Sequence, residues 1–379
     1  MKINVYILLL LLLLSIMVPA GATVRSVTTY GASGNGSTNN YSAFTSALGA
    51  CASGDTLVIP AGTYRVDLAQ SLSSLVIPAG VTVEGVGTSS IITLYASDAL
   101  TNFHTFVSNG GNNATLSNVV IKRMQNFAAV LFPLNAYSGF TLTNIVINGQ
   151  KNTVGTSNYC HAFEFGASSG TLSGFVLTGD TIENCDFGFF TPSATTGTIN
   201  GVTVTSCQFS GNYADDLEFN MPSGVCTNVN VSDSNFQNNQ ANAPSGGFAV
   251  GFCNVQTGSV QNCCVNTYAC EALHVESNSS GILLQNNTLI ATGYTYDGSI
   301  LVLGGSNNIT INGNFINNIY STGTGLYAIL ITGGGVGTTP PYNCTVSTNI
   351  IRDDASDTWV DPASGNYTNV TFTNNFYNY

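Results

Sequence analysis

One short pattern recurs through most of this chain: an apolar residue, four mostly polar ones, then another apolar residue. It is clearest at Leu177/Ile182, Val204/Phe209, Val231/Phe236, Val260/Val265, Leu284/Leu289, Ile311/Ile316, Val346/Ile351 and Phe372/Tyr377, with weaker copies at Ile121 and Ile147. Successive spacings are 26, 30, 27, 27, 29, 24, 27, 35 and 26 residues. A period this variable does not fit an array of identical helical repeats. A parallel β-helix tolerates it, because each coil keeps its strands and varies its loops. Asn287, Asn314, Asn349 and Asn375 stand three residues into the last four copies. Stacked at one inter-strand step of ~4.8 Å, they would form an Asn ladder bonded along the axis. About ten coils make a rod of ~45–50 Å, so the expectation is a single all-β solenoid over 57–379, entered through a cap over 23–56.

The cap contains the one helical signal. Phe44, Ala47, Leu48 and Cys51 recur at i, i+3, i+4 and i+7, which predicts a helix over 41–52 with Asn40 as N-cap, placed to plug the open end of the solenoid. Ahead of it, residues 1–22 read as a secretory signal. Lys2 precedes an apolar run from Tyr6 to Leu14 that continues through Ile16, Met17 and Val18, and Ala20-Gly21-Ala22 supplies small residues for cleavage before Thr23. The expected location is extracellular or cell-surface, with no membrane attachment after cleavage. With 7 Lys+Arg against 19 Asp+Glu, a net charge of −12, the chain has no basic stripe for phosphates, and nucleic acid is excluded as a partner. At 44% hydrophobic residues disorder is excluded as well. The ten Cys permit disulfides in an exported chain, with Cys226 and Cys253, 27 residues apart, the pair to test against simple burial in the core. No C-x-x-C occurs, which disfavours a zinc cluster.

A second strand per coil can be aligned as Phe163-Glu164-Phe165, Phe187-Gly188-Phe189, Leu217-Glu218-Phe219, Phe248-Ala249-Val250, Leu273-His274-Val275, Ile300-Leu301-Val302 and Ile329-Leu330-Ile331. With a period of two the middle residues face outward. Glu164, Glu218 and His274, with Glu276 beside them, then line a trough that could hold a sugar ring, and polar groups stop at His274.

The stretch from Val24 to Val66, with Tyr30-Gly31-Ala32, Gly34-Asn35-Gly36 and the run from Gly54 to Tyr64, resembles the opening of the pectate-lyase-like superfamily. It is most similar to rhamnogalacturonase/epimerase-type right-handed parallel β-helix proteins, although Asn35, Asn39 and Asn40 stand where members usually carry Asp. The resemblance implies a right-handed β-helix acting on polysaccharide. Asp186, then Asp215-Asp216, then Gly246-Gly247-Phe248 are similar in order to the polygalacturonase-type pattern, which implies Asp186 and Asp216 as a water-activating pair in neighbouring coils and Asp215 as the acid. Two departures stand out. Phe248 replaces the family His, with His274 one coil later, and the uronate-binding Arg-x-Lys is absent. Between Lys151 and Arg352 there is no Lys or Arg, which favours a neutral glycan and argues against lyase-type elimination. No cofactor or metal motif occurs. Asp215, Asp216 and Glu218 offer hard oxygens for Ca²⁺, but no calcium-loop repeat supports it. The sequence therefore reads as a secreted glycoside hydrolase on a neutral or weakly charged polysaccharide. A non-catalytic adhesin-type rod is the alternative, a polysaccharide lyase or epimerase comes third, and the oligomeric state is unassigned.

Overall fold

The computed structural model describes residues 21–71, 74–108, 112–241, 247–293, 298–318, 327–333, 339–352 and 367–378. The proposed signal, Gly246 and the other residues outside these ranges are not described. Three parallel sheets wind into a solenoid of about eleven turns. Sheet A has 13 strands, from Val24–Ser26 to Thr368–Thr373. Sheet B also has 13, from Asn35–Asn39 to Phe376–Asn378, and sheet C has nine, from Phe103–His104 to Tyr327–Ile331.

The repeat seen in the sequence is the passage from sheet A to sheet B. Its first position stacks through sheet A as Leu177, Val204, Val231, Val260, Leu284, Ile311, Val346 and Phe372. Its second position stacks through sheet B as Ile182, Phe209, Phe236, Val265, Leu289, Ile316, Ile351 and Tyr377. Ile121 and Ile147 belong to the second column, and their first-position partners are Leu116 and Leu142. These two copies are complete, but every apolar residue of Val119-Val120-Ile121 and Ile145-Val146-Ile147 competes for the same assignment in the sequence.

Between the two columns the chain turns through a left-handed residue in coil after coil: Asn118, Asn144, Gly179, Ser206, Asp233, Asn262, Asn286, Gly313, Thr348 and Asn374 all have φ between 52° and 68°. Asn and Gly tolerate this region at least cost, which gives the abundance of both a structural use. The next residue points inward and bonds along the axis. Asn314 Oδ1 accepts from the Asn287 N–H and side-chain amide, both at 3.0 Å, and Asn349 Oδ1 does the same for Asn314, both at 2.9 Å. Asn375 Oδ1 accepts from Asn349 at 3.0 and 2.9 Å. The same slot continues upstream with other chemistry: Asn287 Oδ1 accepts from Cys263 N–H, Ser234 Oγ from Cys207 N–H and Asp180 Oδ1 from Ile145 N–H.

Under sheet C the interior is filled by contacting rings. Phe132, Phe163, Phe175, Phe189, Phe219 and Phe252 follow one another at centroid distances of 4.9–5.9 Å. At the N-terminal end helix α1 (Tyr41–Gly49) buries Phe44, Ala47 and Leu48 over the first coils. Asn40 occupies the N-cap position, but its side chain makes no bond to the helix. Instead it accepts from Ser33 N–H at 2.7 Å and donates to the carbonyls of Ser33, Thr38 and Arg65, clamping the chain into the first coil. Cys226 and Cys253 are both free thiols. Cys226 stacks between Ile199 and Val255 in sheet A, whereas Cys253 lies between Asn220 and Glu276 in sheet C. A separation of one period places two residues together only when both sit at the same point of the coil, and these two do not.

Candidate active site

The outward row of sheet C is Glu164, Phe190, Glu218, Gly251, His274, Leu301 and Leu330. Two members differ from the sequence alignment: Phe190 replaces Gly188 and Gly251 replaces Ala249. Both slips are of two residues, which leaves every side chain on its face and is invisible to a period-two pattern. Gly188 has a different job. A Cβ there would lie 2.5 Å from the Asp216 carbonyl and 2.9 Å from the Phe209 ring.

The three aspartates separate. Asp186 and Asp216 do not share a slot: the Asp186 carbonyl receives Ala214 N–H, and the Asp216 carbonyl receives Phe189 N–H. Asp186 is held by Lys151 Nζ at 2.6 Å and by Cys160 N–H at 2.6 Å, and Lys151 is buried over the Tyr213 ring. Asp216 is 1% exposed and lies within the coil, accepting from Tyr268 Oη and from the Asn212 amide. Asp215 turns the other way, accepting at Oδ1 from Gly247 N–H and, at 3.1 Å, Phe248 N–H.

Around Asp215 the structure brings together Glu218, Glu271, His274 and Glu276. His274 Nδ1 lies 3.4 Å from Glu271 Oε1 and Nε2 lies 3.6 Å from Glu276 Oε2, ion-pair distances at which Nδ1, fully buried, has no well-directed hydrogen bond. Phe248 stacks on the imidazole at 4.9 Å and 27°. Its ring lies across Gly251, where a Cβ would come within 2.5 Å of Cε2. Glu218, Asn220, Phe248, Gly251, His274 and Glu276 line one small cleft. Glu164 stands apart, two strands upstream of Glu218 on Cys160–Phe165, and binds His161 Nδ1 at 2.8 Å.

Charge in this cleft is unevenly distributed. Burial, then the charge of Asp215, pushes Glu218 up to about 8, against the Asn220 amide that favours its ionised form. Burial raises Asp215 to about 6 despite its two backbone donors. Burial also opposes a charged His274, but the contacts with Glu271 and Glu276 override it and lift the imidazole to about 10. In return His274 holds Glu276 below the ordinary Glu value. Near neutrality the cleft therefore presents a protonated Glu218 opposite an ionised Glu276, with a cationic His274 beside them.

Among the described residues no three His, Cys, Asp or Glu side chains are grouped to hold a metal ion. Asp215, Asp216 and Glu218 do not converge as a calcium site would require, because Asp216 points inward. Glu271 carries no outward-row signal in the sequence. Its only mark is the run Glu271-Ala-Leu-His274-Val-Glu276, which places three titratable groups within six residues.

No family model matches the chain, and no curated protein matches it in sequence. Solved structures do. The DFA-IIIase from Arthrobacter chlorophenolicus A6 in complex with DFA-III is similar at a TM-score of 0.62 and 15% identity, covering 92% of this chain and 94% of that one. PfbA, a surface adhesin of Streptococcus pneumoniae, is similar at 0.62 and 14%, covering 94% and 91%. The A-module of the Azotobacter vinelandii mannuronan C-5 epimerase AlgE6 is similar at 0.55 and 15%, covering 93% and 99%. The fold is thus the pectate-lyase-like right-handed parallel β-helix. Likeness at this identity establishes the fold and leaves the chemistry to the cleft itself.

Proposed function

We propose that this chain is an exported carbohydrate-active enzyme, a glycoside hydrolase that cleaves a neutral or weakly charged polysaccharide in the cleft between Glu218 and Glu276. The observation that carries the reading is the opposite tuning of these two carboxyls: one is raised to about 8 and the other lowered, in one cleft. Glu218 gives its proton to the glycosidic oxygen as the C–O bond breaks. Water adds its oxygen to the anomeric carbon and passes a proton to Glu276, and exchange with solvent restores both groups. The two residues sit two strands apart with a two-residue stagger, ~12 Å of backbone, and side chains leaning toward each other across it suit the wider carboxyl spacing of an inverting displacement rather than direct attack at ~5–5.5 Å. His274 holds Glu276 in place and keeps it ionised. Asp215 charges the wall behind Glu218. Asp186 and Asp216 have full sets of protein partners and serve the fold in this reading.

A neutral substrate is favoured because His274, the cation of the cleft, already faces Glu271 and Glu276. Export rests on the signal-like residues 1–22. The test is a panel of neutral polysaccharides and polygalacturonate, assayed with wild type, Glu218→Gln and Glu276→Gln. Each substitution is expected to lower turnover by at least ~10², with the thermal midpoint held or raised in Glu218→Gln and lowered in Glu276→Gln, which removes an ion-pair partner of His274. An inverted anomer should appear first in proton NMR of the products. Metal-free activity confined to polygalacturonate would overturn the charge argument. Binding without turnover across the panel would move the reading to a non-catalytic adhesin.

A further inference from the structure

Upstream of the cleft, sheet C carries a second feature on its outer face. Phe103 and Tyr159 are 41% and 43% exposed, large values for aromatic rings, and their centroids are 6.4 Å apart. They sit two strands apart, with Ala128 between them in register. The small residue lets both rings lean over it. From Tyr159 the contacts continue to His161 at 5.1 Å, from His161 to Phe187 and to Phe190 at 5.0 Å each, and between Phe187 and Phe190 at 4.3 Å, stacked. Phe190 is the row neighbour of Glu218 on the next strand. A continuous line of rings therefore runs obliquely across the sheet, from the register row of Tyr159 to that of Glu164, and ends against the proposed acid.

We infer that this ribbon, Phe103, Tyr159, His161, Phe187 and Phe190, is an extended binding track for the sugar rings of a linear neutral glycan lying obliquely across sheet C. The inference rests on the hydrolase reading for the direction of the track, though not for its chemistry. Four inter-strand steps and five residues along the strand separate Phe103 from Glu218, ~25 Å, so the track spans several sugar units. Ring faces cover the apolar C–H face of a pyranose or furanose, and polar edges are at hand in Tyr159 and Glu164, with the largely buried His161 packed beneath and bonded to Glu164. The ribbon is one or two rings wide, far narrower than a protein-docking patch. No cation is available to an anionic polymer here. Arg123 is fully buried and bonded to the carbonyls of Gly149 and Phe127, and Lys151 is buried on Asp186.

Affinity electrophoresis through gels containing arabinoxylan, mixed-linkage glucan, galactomannan, inulin or polygalacturonate tests this, using Glu218→Gln protein so that the polymer is not consumed. At least one neutral polymer should retard the protein. Adding Phe103→Ala and Tyr159→Ala should weaken that binding on the order of 10-fold at an unchanged thermal midpoint, as both rings are exposed. Undiminished retardation of the triple variant, no retardation by any neutral polymer, or preferential retardation by polygalacturonate would each overturn the track. The two readings fail separately. If Glu218→Gln still cleaves while ring removal abolishes retardation, the assigned acid is wrong and the track stands. If Glu218→Gln is inactive and ring removal changes nothing, the track is wrong and the acid stands.

Discussion

Two buried polar assemblies occupy the same solenoid and differ in one respect. Along the turn between sheets A and B, the amides of Asn287, Asn314 and Asn349 each donate twice, Asn314 and Asn349 accept twice and Asn287 accepts once, so that every polar atom is matched. Outside sheet C, Asp215, Glu218, Glu271, His274 and Glu276 crowd together with shifted acidities and a buried His274 nitrogen that lacks a directed partner. Matched groups stabilise the rod, and mismatched ones remain available for proton transfer. The same inter-strand spacing serves both, so the distinction lies in partners and not in position.

Breaking a matched group should cost stability, and the largest effect is expected at Asp186. Asp186→Ala strands the buried Lys151 ammonium and is expected to cost about 3 kcal/mol in denaturant unfolding. A change within error would show that Lys151 finds water or another acceptor. Asn314→Ala leaves amides on both sides unmatched, for about 1–3 kcal/mol. An equal loss from Asn375→Ala, at the half-buried end of the ladder, would show that burial is not what makes the ladder matter.

A smaller effect, of opposite kind, is expected of pH. Glu218, Asp215, Asp216 and Asp180 all have folded values raised by burial, to about 8, 6, 7 and 7. Between the ordinary carboxyl range and these values the folded state holds protons that the unfolded chain has lost. Stability should therefore fall as pH rises from about 4 to about 8, the reverse of what salt-bridged carboxylates produce. His274 acts in the same direction over a higher window, since its contribution is complete below its ordinary value and is lost as pH rises from there through about 10. Thermal midpoints across this range should decline in wild type and decline less in Glu218→Gln. A midpoint rising steadily to pH 8 would contradict the raised values.

Much of the matched assembly was legible in the sequence, and less of the mismatched one. Stacking forces each coil to repeat the same residue type at the same turn, so the two apolar columns and the Asn ladder stood out at 24–35-residue spacings. Alternation alone placed Glu164, Glu218 and His274 on the outer face of sheet C. What alternation cannot give is register in steps of two, hence the exchange of Gly188 for Phe190 and of Ala249 for Gly251. Nor can it say which way adjacent residues turn at a coil corner, where Asp215 faces the cleft side and Asp216 faces Tyr268. Lys151, 35 residues before Asp186, shows no repeat position that would announce their pairing.

The central claim is that Glu218 and Glu276 hold opposite protonation states in one cleft. Side-chain carboxyl titration by carbon-13 NMR, with Glu218→Gln and Glu276→Gln to assign the resonances, measures it directly. One Glu carboxyl should titrate near 8 and vanish in Glu218→Gln, and another should titrate below the ordinary Glu value and vanish in Glu276→Gln. Two resonances titrating together in the ordinary Glu range would contradict the account.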